Sequence, residues 1–144
     1  DNFNEVDMID FVKEATGKEP IETYLGDINL FAVYESEETI KNINPNFELV
    51  SKLKGQGLII SSTSNDCDFV SRYFCPKYGI NEDPVTGSAH TTLIPYWSKK
   101  LDKSILIANQ VSKRGGELFC SSSDDRVLIG GNAVLYMKGT IEIN

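Results

Sequence analysis

The sequence predicts a single α+β domain, and three observations carry that prediction. The first third holds short amphipathic helical patterns around one hairpin. The second half is dominated by short β-branched or aromatic runs separated by Gly, Ser, Asn and Asp, which read as strands. Set among those runs, residues 86–97 read as a helix that is apolar on most sides, through Ala89, Leu93, Ile94, Tyr96 and Trp97, and such a helix belongs in a core. With 144 residues and 40% hydrophobic content the chain is long enough for one good core and too short for two.

Each element has its own local signal. Asn4 is the expected cap of a first helix in which Met8, Phe11, Val12 and Ala15 recur at helical spacing, and Gly17 stands where a left-handed C-terminal cap belongs. Strands at 21–25 and 28–34 flank Gly26-Asp27, a hairpin turn. Ser36 opens a short acidic helix through Ile43. Asn44-Pro45 then reads as an N-cap followed by proline at the first helical position, with Phe47, Val50 and Leu53 as the apolar side and Gly55 as the end. Further strands are expected at 58–62, 69–74, 104–110, 117–122, 126–129 and 133–143. Pro95 removes a hydrogen bond from the 86–97 helix and should kink or end it. No repeat, low-complexity tract or linker argues for a domain boundary.

Composition excludes several function classes. The formal charge is −7, from 14 basic against 21 acidic residues, with no basic stripe, so nucleic acid and anionic membranes are not expected partners. No stretch approaches the ~20 apolar residues of a membrane helix, and no secretory leader opens the sequence. Cys67, Cys75 and Cys120 are odd in number and widely spaced, which suits reduced thiols in a cytoplasmic protein. The sequence begins at Asp1 rather than at methionine, which leaves room for a segment upstream.

The segment 79–90 (GINEDPVTGSAH) is the densest in chemistry. It packs acid, proline, glycine and hydroxyls just ahead of the buried helix. Gly87 lets a ligand approach the backbone, and the N–H groups of Ser88 and Ala89 lie at the positive end of the helix dipole, a geometry that binds carboxylate or phosphate. The alternative is that Thr86 or Ser88 only caps the helix and Asp83 only fixes the turn before it. A hydrolase triad from Asp83, Ser88 and His90 is disfavoured, because residues two apart on a helix face different ways. One histidine and three scattered cysteines give no metal-ligand spacing, so no metal is expected. Gly55-Gln56-Gly57 lacks the third glycine of a dinucleotide fingerprint and reads as the turn from a helix into a strand. The segment 110–116 (QVSKRGG) offers side-chain donors beside a backbone-exposing loop, or is a plain turn. Arg72, between aromatics in a strand, reads as a core-edge ion pair or a stacked guanidinium.

Taken together, 69–76 (FVSRYFCP), 79–90, 95–97 (PYW) and 110–116, with Arg126-Val127 and Gly139-Thr140, resemble the phenazine-biosynthesis PhzF-like isomerases, relatives of diaminopimelate epimerase. The resemblance covers essentially the whole chain and places it as the second half of a family member about twice this long. It implies two similar lobes, each a curved, mostly antiparallel sheet wrapped around a central buried helix, with the active site in the cleft between them. It implies proton transfer at carbon on a small carboxylate substrate, without metal or organic cofactor. Asp83 would be the catalytic acid of this half, with Thr86, Gly87, Ser88 and Ala89 holding the substrate carboxylate. The family's general acid/base glutamate lies in the first lobe and has no counterpart here. The turn also lacks the cysteine of the paired-thiol racemases. Homodimerisation is a further expectation of the resemblance, as is a partner for strand 133–143 in the first lobe. The competing readings are a non-catalytic module that binds a small carboxylate or a partner, and a structural dimerisation domain.

Overall fold

The computed structural model describes residues 3–123 and 126–143. The chain opens as a strand, not as the expected helix: β1 (Phe3–Glu5) pairs antiparallel with β2 (Glu22–Gly26), and Asn4 lies opposite Leu25. Phe3 meets Tyr24 edge-on at 5.5 Å, so burial of an aromatic ring outweighs the local capping signal of Asn4. Helix α1 (Ile9–Thr16) starts after Met8, whose N–H donates to Thr23 Oγ1 at 3.2 Å. Gly17 ends it at φ 71°, as its position predicts. Val12 and Ala15 are buried while Phe11 is 59% exposed, so the apolar stripe is narrower than the spacing suggests.

The hairpin of β2 with β3 (Leu30–Val33) is present and is closed by the Gly26 N–H on the Asn29 carbonyl at 2.9 Å. Helix α2 (Glu37–Asn42) is capped by Ser36, whose Oγ accepts the Thr39 N–H. Helix α3 (Phe47–Lys52) is capped two residues later than expected: Asn46 Oδ1 accepts from Glu48 and Leu49, and Pro45 precedes the cap. Next come β4 (Leu58–Thr63) and β5 (Phe69–Cys75), a 3-10 turn at Pro76–Tyr78, and β6 (Ile80–Asp83). Strand β6 was not expected; it folds back antiparallel on β5 and so builds Asp83 into the sheet. Helix α4 (Gly87–Leu101), β7 (Ile105–Gln110), β8 (Gly116–Ser123) and β9 (Arg126–Gly130) complete the elements.

The fold is mixed α+β on one open sheet in the order β1-β2-β3-β4-β5-β7-β8-β9, with β6 attached to β5. Only β3–β4 and β5–β7 pair in parallel among the described strands. Alternation along the middle strands sends residues to two separate cores. Phe31, Val33, Ile59, Phe69 and Tyr73 meet α4 on one face, and Leu30, Ala32, Leu58, Ile60 and Phe74 meet α1, α2 and α3 on the other. Both faces are therefore covered there, and all of β3 is buried. The outer strands are covered on the α4 side only, which leaves Ile105, Ile107, Phe119 and Leu128 exposed.

Helix α4 buries Ala89, His90, Thr92, Leu93, Ile94, Tyr96 and Trp97, and exposes Lys99 and Lys100. Trp97 stacks on Phe69 at 5.8 Å and donates its indole N–H to Ser61 Oγ at 2.9 Å. The helix does not end at Pro95. It runs to Leu101 and stops where Asp102 turns left-handed at φ 53°, because packing on both sides of the proline outweighs the one hydrogen bond it removes. The strand expected at 133–143 is also absent. Residues 131–143 make no ladder, and Val134, Leu135, Tyr136, Met137, Ile141 and Ile143 are exposed, since no strand edge among the described residues takes them up. No helix among the described residues is long and apolar enough to cross a membrane.

Candidate active site

Asp83 ends β6, opposite Tyr73 of β5. Its neighbour Glu82 is gripped by Arg72 through two hydrogen bonds, Nε to Oε1 at 2.7 Å and Nη2 to Oε2 at 3.0 Å. Arg72 Nη1 also donates to the carbonyls of Ile40 and Ile43, at 3.1 and 2.7 Å, and the guanidinium lies 4.8 Å over the Phe74 ring. Arg72 is thus both an ion pair and a stacked cation, the two alternatives its sequence setting left open. It ties β5 and β6 to the end of α2 immediately beside Asp83.

The turn after Asp83 is held from the other side by the 110–116 segment. Thr86 occupies the N-cap position of α4 in extended conformation, yet its side chain makes no cap to the helix. Its hydroxyl bonds Asp83 Oδ2 at 2.5 Å instead. Gln110, 1% exposed, accepts the Thr86 N–H on Oε1 at 2.7 Å. Its Nε2 lies 2.8 Å from the Asp83 carbonyl and 3.1 Å from Thr86 Oγ1. Ser112 Oγ donates to the Pro84 carbonyl at 2.7 Å and accepts the Gly115 N–H at 3.1 Å. Segments 79–90 and 110–116, far apart in sequence, form one clamped unit. The plain-turn alternative for 110–116 gives way to a clamping role, whereas the suggestion that Asp83 fixes its own turn is retained in part.

Gly87 and Ser88 are exposed at the head of α4, and the space a Gly87 side chain would fill is open. Ala89 is buried, 1% exposed, so the first turn is anchored in the core by its third residue. Of the expected anion-holding residues, Gly87 and Ser88 are thus exposed at the helix start, whereas Thr86 and Ala89 are buried. A shallow groove of about 640 Å³ lies against β6 and the 110–116 segment, lined by Ile80, Glu82, Pro84, Ser112, Lys113 and Arg114, and its lining does not include Asp83 or residues 86–89.

His90 is fully buried and its Nδ1 meets the Thr86 carbonyl at 2.7 Å. Burial pushes its pKa down, only partly countered by that hydrogen bond. Ser88 instead uses its carbonyl to accept the Thr91 hydroxyl, and no hydrogen bond joins Ser88 to His90, which removes the triad arrangement. Cys75 and Cys120 are buried with their thiol pKa values pushed up by desolvation, and Cys67 is half-buried. The residue that sequence reasoning under-read is Gln110. It falls on the buried phase of β7 with Leu106 and Ala108, and a polar side chain in that phase needs partners.

Comparison with known proteins gives the family. Residues 4–139 match the family described as phenazine biosynthesis-like protein, PhzC-PhzF. An uncharacterized isomerase of Pseudomonas aeruginosa is 42% identical over 133 residues, which cover 92% of this chain and 51% of that protein. A PhzF-family crystal structure from Enterococcus faecalis superposes with a TM-score of 0.89 at 45% identity, covering 93% of this chain and 52% of that one. A PhzC/PhzF protein from Clostridium difficile gives 0.84 at 41% identity, over 98% and 54%. The chain spans about half the length of the relatives it matches. It belongs to the phenazine biosynthesis-like PhzC-PhzF family.

Proposed function

We propose that this chain is the second lobe of a two-lobed PhzF-like isomerase that moves a proton between carbons of a small carboxylate substrate. The observation that carries the reading is the clamped Asp83–Thr86 turn running directly into the open first turn of α4. The N–H groups of Ser88 and Ala89, with Gly87, hold the substrate carboxylate, and the helix dipole favours its charge; Thr86, whose N–H and hydroxyl are already given to Gln110 and Asp83, contributes through the aspartate and not by a bond of its own. A carboxylate of the other lobe breaks the C–H bond and forms an O–H bond. The electron pair spreads into the substrate's conjugated system, and a proton is delivered to a second carbon, so the reaction is redox-neutral. Asp83 passes a proton or orients the substrate while this happens. The chain uses no organic cofactor or metal for these steps.

Two features support a missing lobe rather than a stand-alone module. The relatives are twice as long. The apolar segment 131–143, with Tyr136 98% and Ile143 93% exposed, has strand character but no ladder. It docks on the other lobe, and this lobe curves around α4 to form one wall of the cleft. The bare outer face of β7 and β8 is available for homodimer contact, and the setting is cytoplasmic.

The test is carbon-bound hydrogen exchange. The protein at its natural length is incubated in D2O with a panel of small cyclic and amino-acid-like carboxylates, and deuterium incorporation is followed by NMR. Exchange that is abolished in Asp83→Ala supports the reading. No exchange with any compound, or exchange indifferent to Asp83→Ala, overturns it and leaves a carboxylate-binding module.

A further inference from the structure

The hydrogen-bond directions around Gln110 carry a consequence for Asp83. A backbone N–H can only donate, so the Gln110 amide atom that meets Thr86 N at 2.7 Å must be the carbonyl oxygen. That fixes which way the amide is turned. Its Nε2 then donates both to the Asp83 carbonyl and to Thr86 Oγ1. The Thr86 hydroxyl, with an acceptor lone pair occupied by Gln110, sends its single proton to Asp83 Oδ2. Asp83 Oδ1 makes no hydrogen bond among the described residues, and the side chain is half-buried.

We infer that Gln110, acting through the Thr86 hydroxyl, reserves Oδ2 of Asp83 as a hydrogen-bond acceptor and leaves Oδ1 as the one oxygen that exchanges a proton with substrate. Gln110 is a positioning residue: it reaches no substrate itself, and through Thr86 it orders the protons around Asp83, which does. Because it is 1% exposed, solvent cannot take over its three hydrogen bonds if it is replaced. Its dual contact to Asp83 and Thr86 also explains why the Thr86 side chain turns back to the aspartate instead of capping α4.

The inference rests on the reading of Asp83 as a proton-handling acid, and the experiment separates the two. Gln110→Glu, which cannot donate when ionised, Thr86→Val, Thr86→Ser and the Gln110→Glu/Thr86→Val double variant are made in the protein at natural length. Exchange is measured on any panel compound that Asp83→Ala silences. Gln110→Glu and Thr86→Val should each lower kcat about tenfold, the rate equivalent of one hydrogen bond, with KM held within about twofold. The double variant should lose no more than the worse single variant, and Thr86→Ser should recover most of what Thr86→Val loses. An unchanged kcat, a loss confined to KM, or additive losses overturn the inference while leaving the isomerase reading intact. If no compound exchanges, the isomerase reading fails, and the proton order is read directly by NMR of the wild-type protein. A Thr86 hydroxyl proton protected from solvent, and close to the Gln110 side-chain amide, supports it. A Thr86 hydroxyl exchanging as fast as that of the exposed Thr63 overturns it. Neither readout of the wild-type protein depends on Gln110→Glu folding.

Discussion

Gly116 stands directly behind Val85: a Cβ added to Gly116 would lie 2.5 Å from Val85 Cγ2, well inside van der Waals contact. Valine is short and stiff at χ1, so the clash cannot be relieved by swinging a long side chain away. The first residue of β8 is thereby pressed against the turn between Asp83 and Thr86. Gly116→Ala should cost about 1–3 kcal/mol by overpacking and should displace the turn. Urea denaturation gives the first quantity, and amide shifts of Val85 and Thr86 report the second. A Gly116→Ala protein with wild-type stability and unchanged shifts at both residues would show that the contact is slack.

Arg72 joins β5, β6 and α2 through four hydrogen bonds at a site where its side chain is 12% exposed and that of Glu82 is 19% exposed. Removing one member of such a pair leaves the other charge with little solvent. Arg72→Ala should destabilise by about 3 kcal/mol or more, and Arg72→Lys should recover only a minor part, because an ammonium cannot reproduce the planar fork. Thermal unfolding of the two variants checks this. Equal stability of Arg72→Lys and wild type would mean that charge alone, not the bidentate geometry, holds β6 in place.

His90 is the single histidine of the sequence, so any histidine contribution to the pH dependence of stability is its own. Burial holds its folded pKa below the ordinary 6.5. The unfolded chain then binds the proton more readily, and the slope of stability with pH is positive across this window. The contribution is fully present above about pH 6.5 and is lost as pH falls from there through the folded value, at about 1.4 kcal/mol for each pH unit separating the two. Urea midpoints of the wild type should therefore drop between pH 7 and pH 5. His90→Gln, which keeps a donor for the Thr86 carbonyl, should show a flatter profile. Parallel profiles would assign the loss to carboxylates.

Glu22 collects three donors: Tyr24 and Tyr96 hydroxyls at 2.8 and 2.6 Å on Oε2, and Lys100 Nζ at 2.8 Å on Oε1. Burial raises its pKa, but the hydrogen bonds from Lys100, Tyr96 and Tyr24 together outweigh it, and the net shift is downward. Desolvation and that carboxylate push the Tyr24 hydroxyl up to about 12. The stabilisation from Glu22 is present above its ordinary 4.5 and fades as pH falls through the depressed value. Glu22→Gln should lower the urea midpoint at pH 7 and narrow its gap to wild type near pH 3. A gap constant with pH would place the effect in packing rather than in charge.

Much of the site was legible before the fold. The acid, glycine and hydroxyls of 83–90 marked the start of a helix with a polar head, because those residue types are placed by backbone chemistry that operates within a few neighbours. Arg72 was recognisable for the same reason, as a charge among aromatics. The pairing of that turn with Gln110 and Ser112 was not legible. Their segment showed useful donors, but a side chain 24 positions away has no local spacing that names its target. Strand β6 was hidden too, since Ile80-Asn81-Glu82-Asp83 has weak strand propensity and exists because β5 offers an edge and Arg72 binds Glu82.

By itself the sequence determined the α+β class, the hairpin, the Ser36 cap, the buried face of α4 and its polar head, all of which follow from periodicity, capping and turn chemistry. Only the tertiary structure decided that residues 3–5 join the sheet, that Asn46 is the cap, that α4 continues past Pro95, and that 133–143 find no ladder among the described residues. In each of these cases a local preference worth about one to three kilocalories competed with burial of aromatic and aliphatic surface, or with the presence or absence of a free strand edge. Burial and strand pairing depend on what lies across the sheet, and that is settled only when the chain has folded.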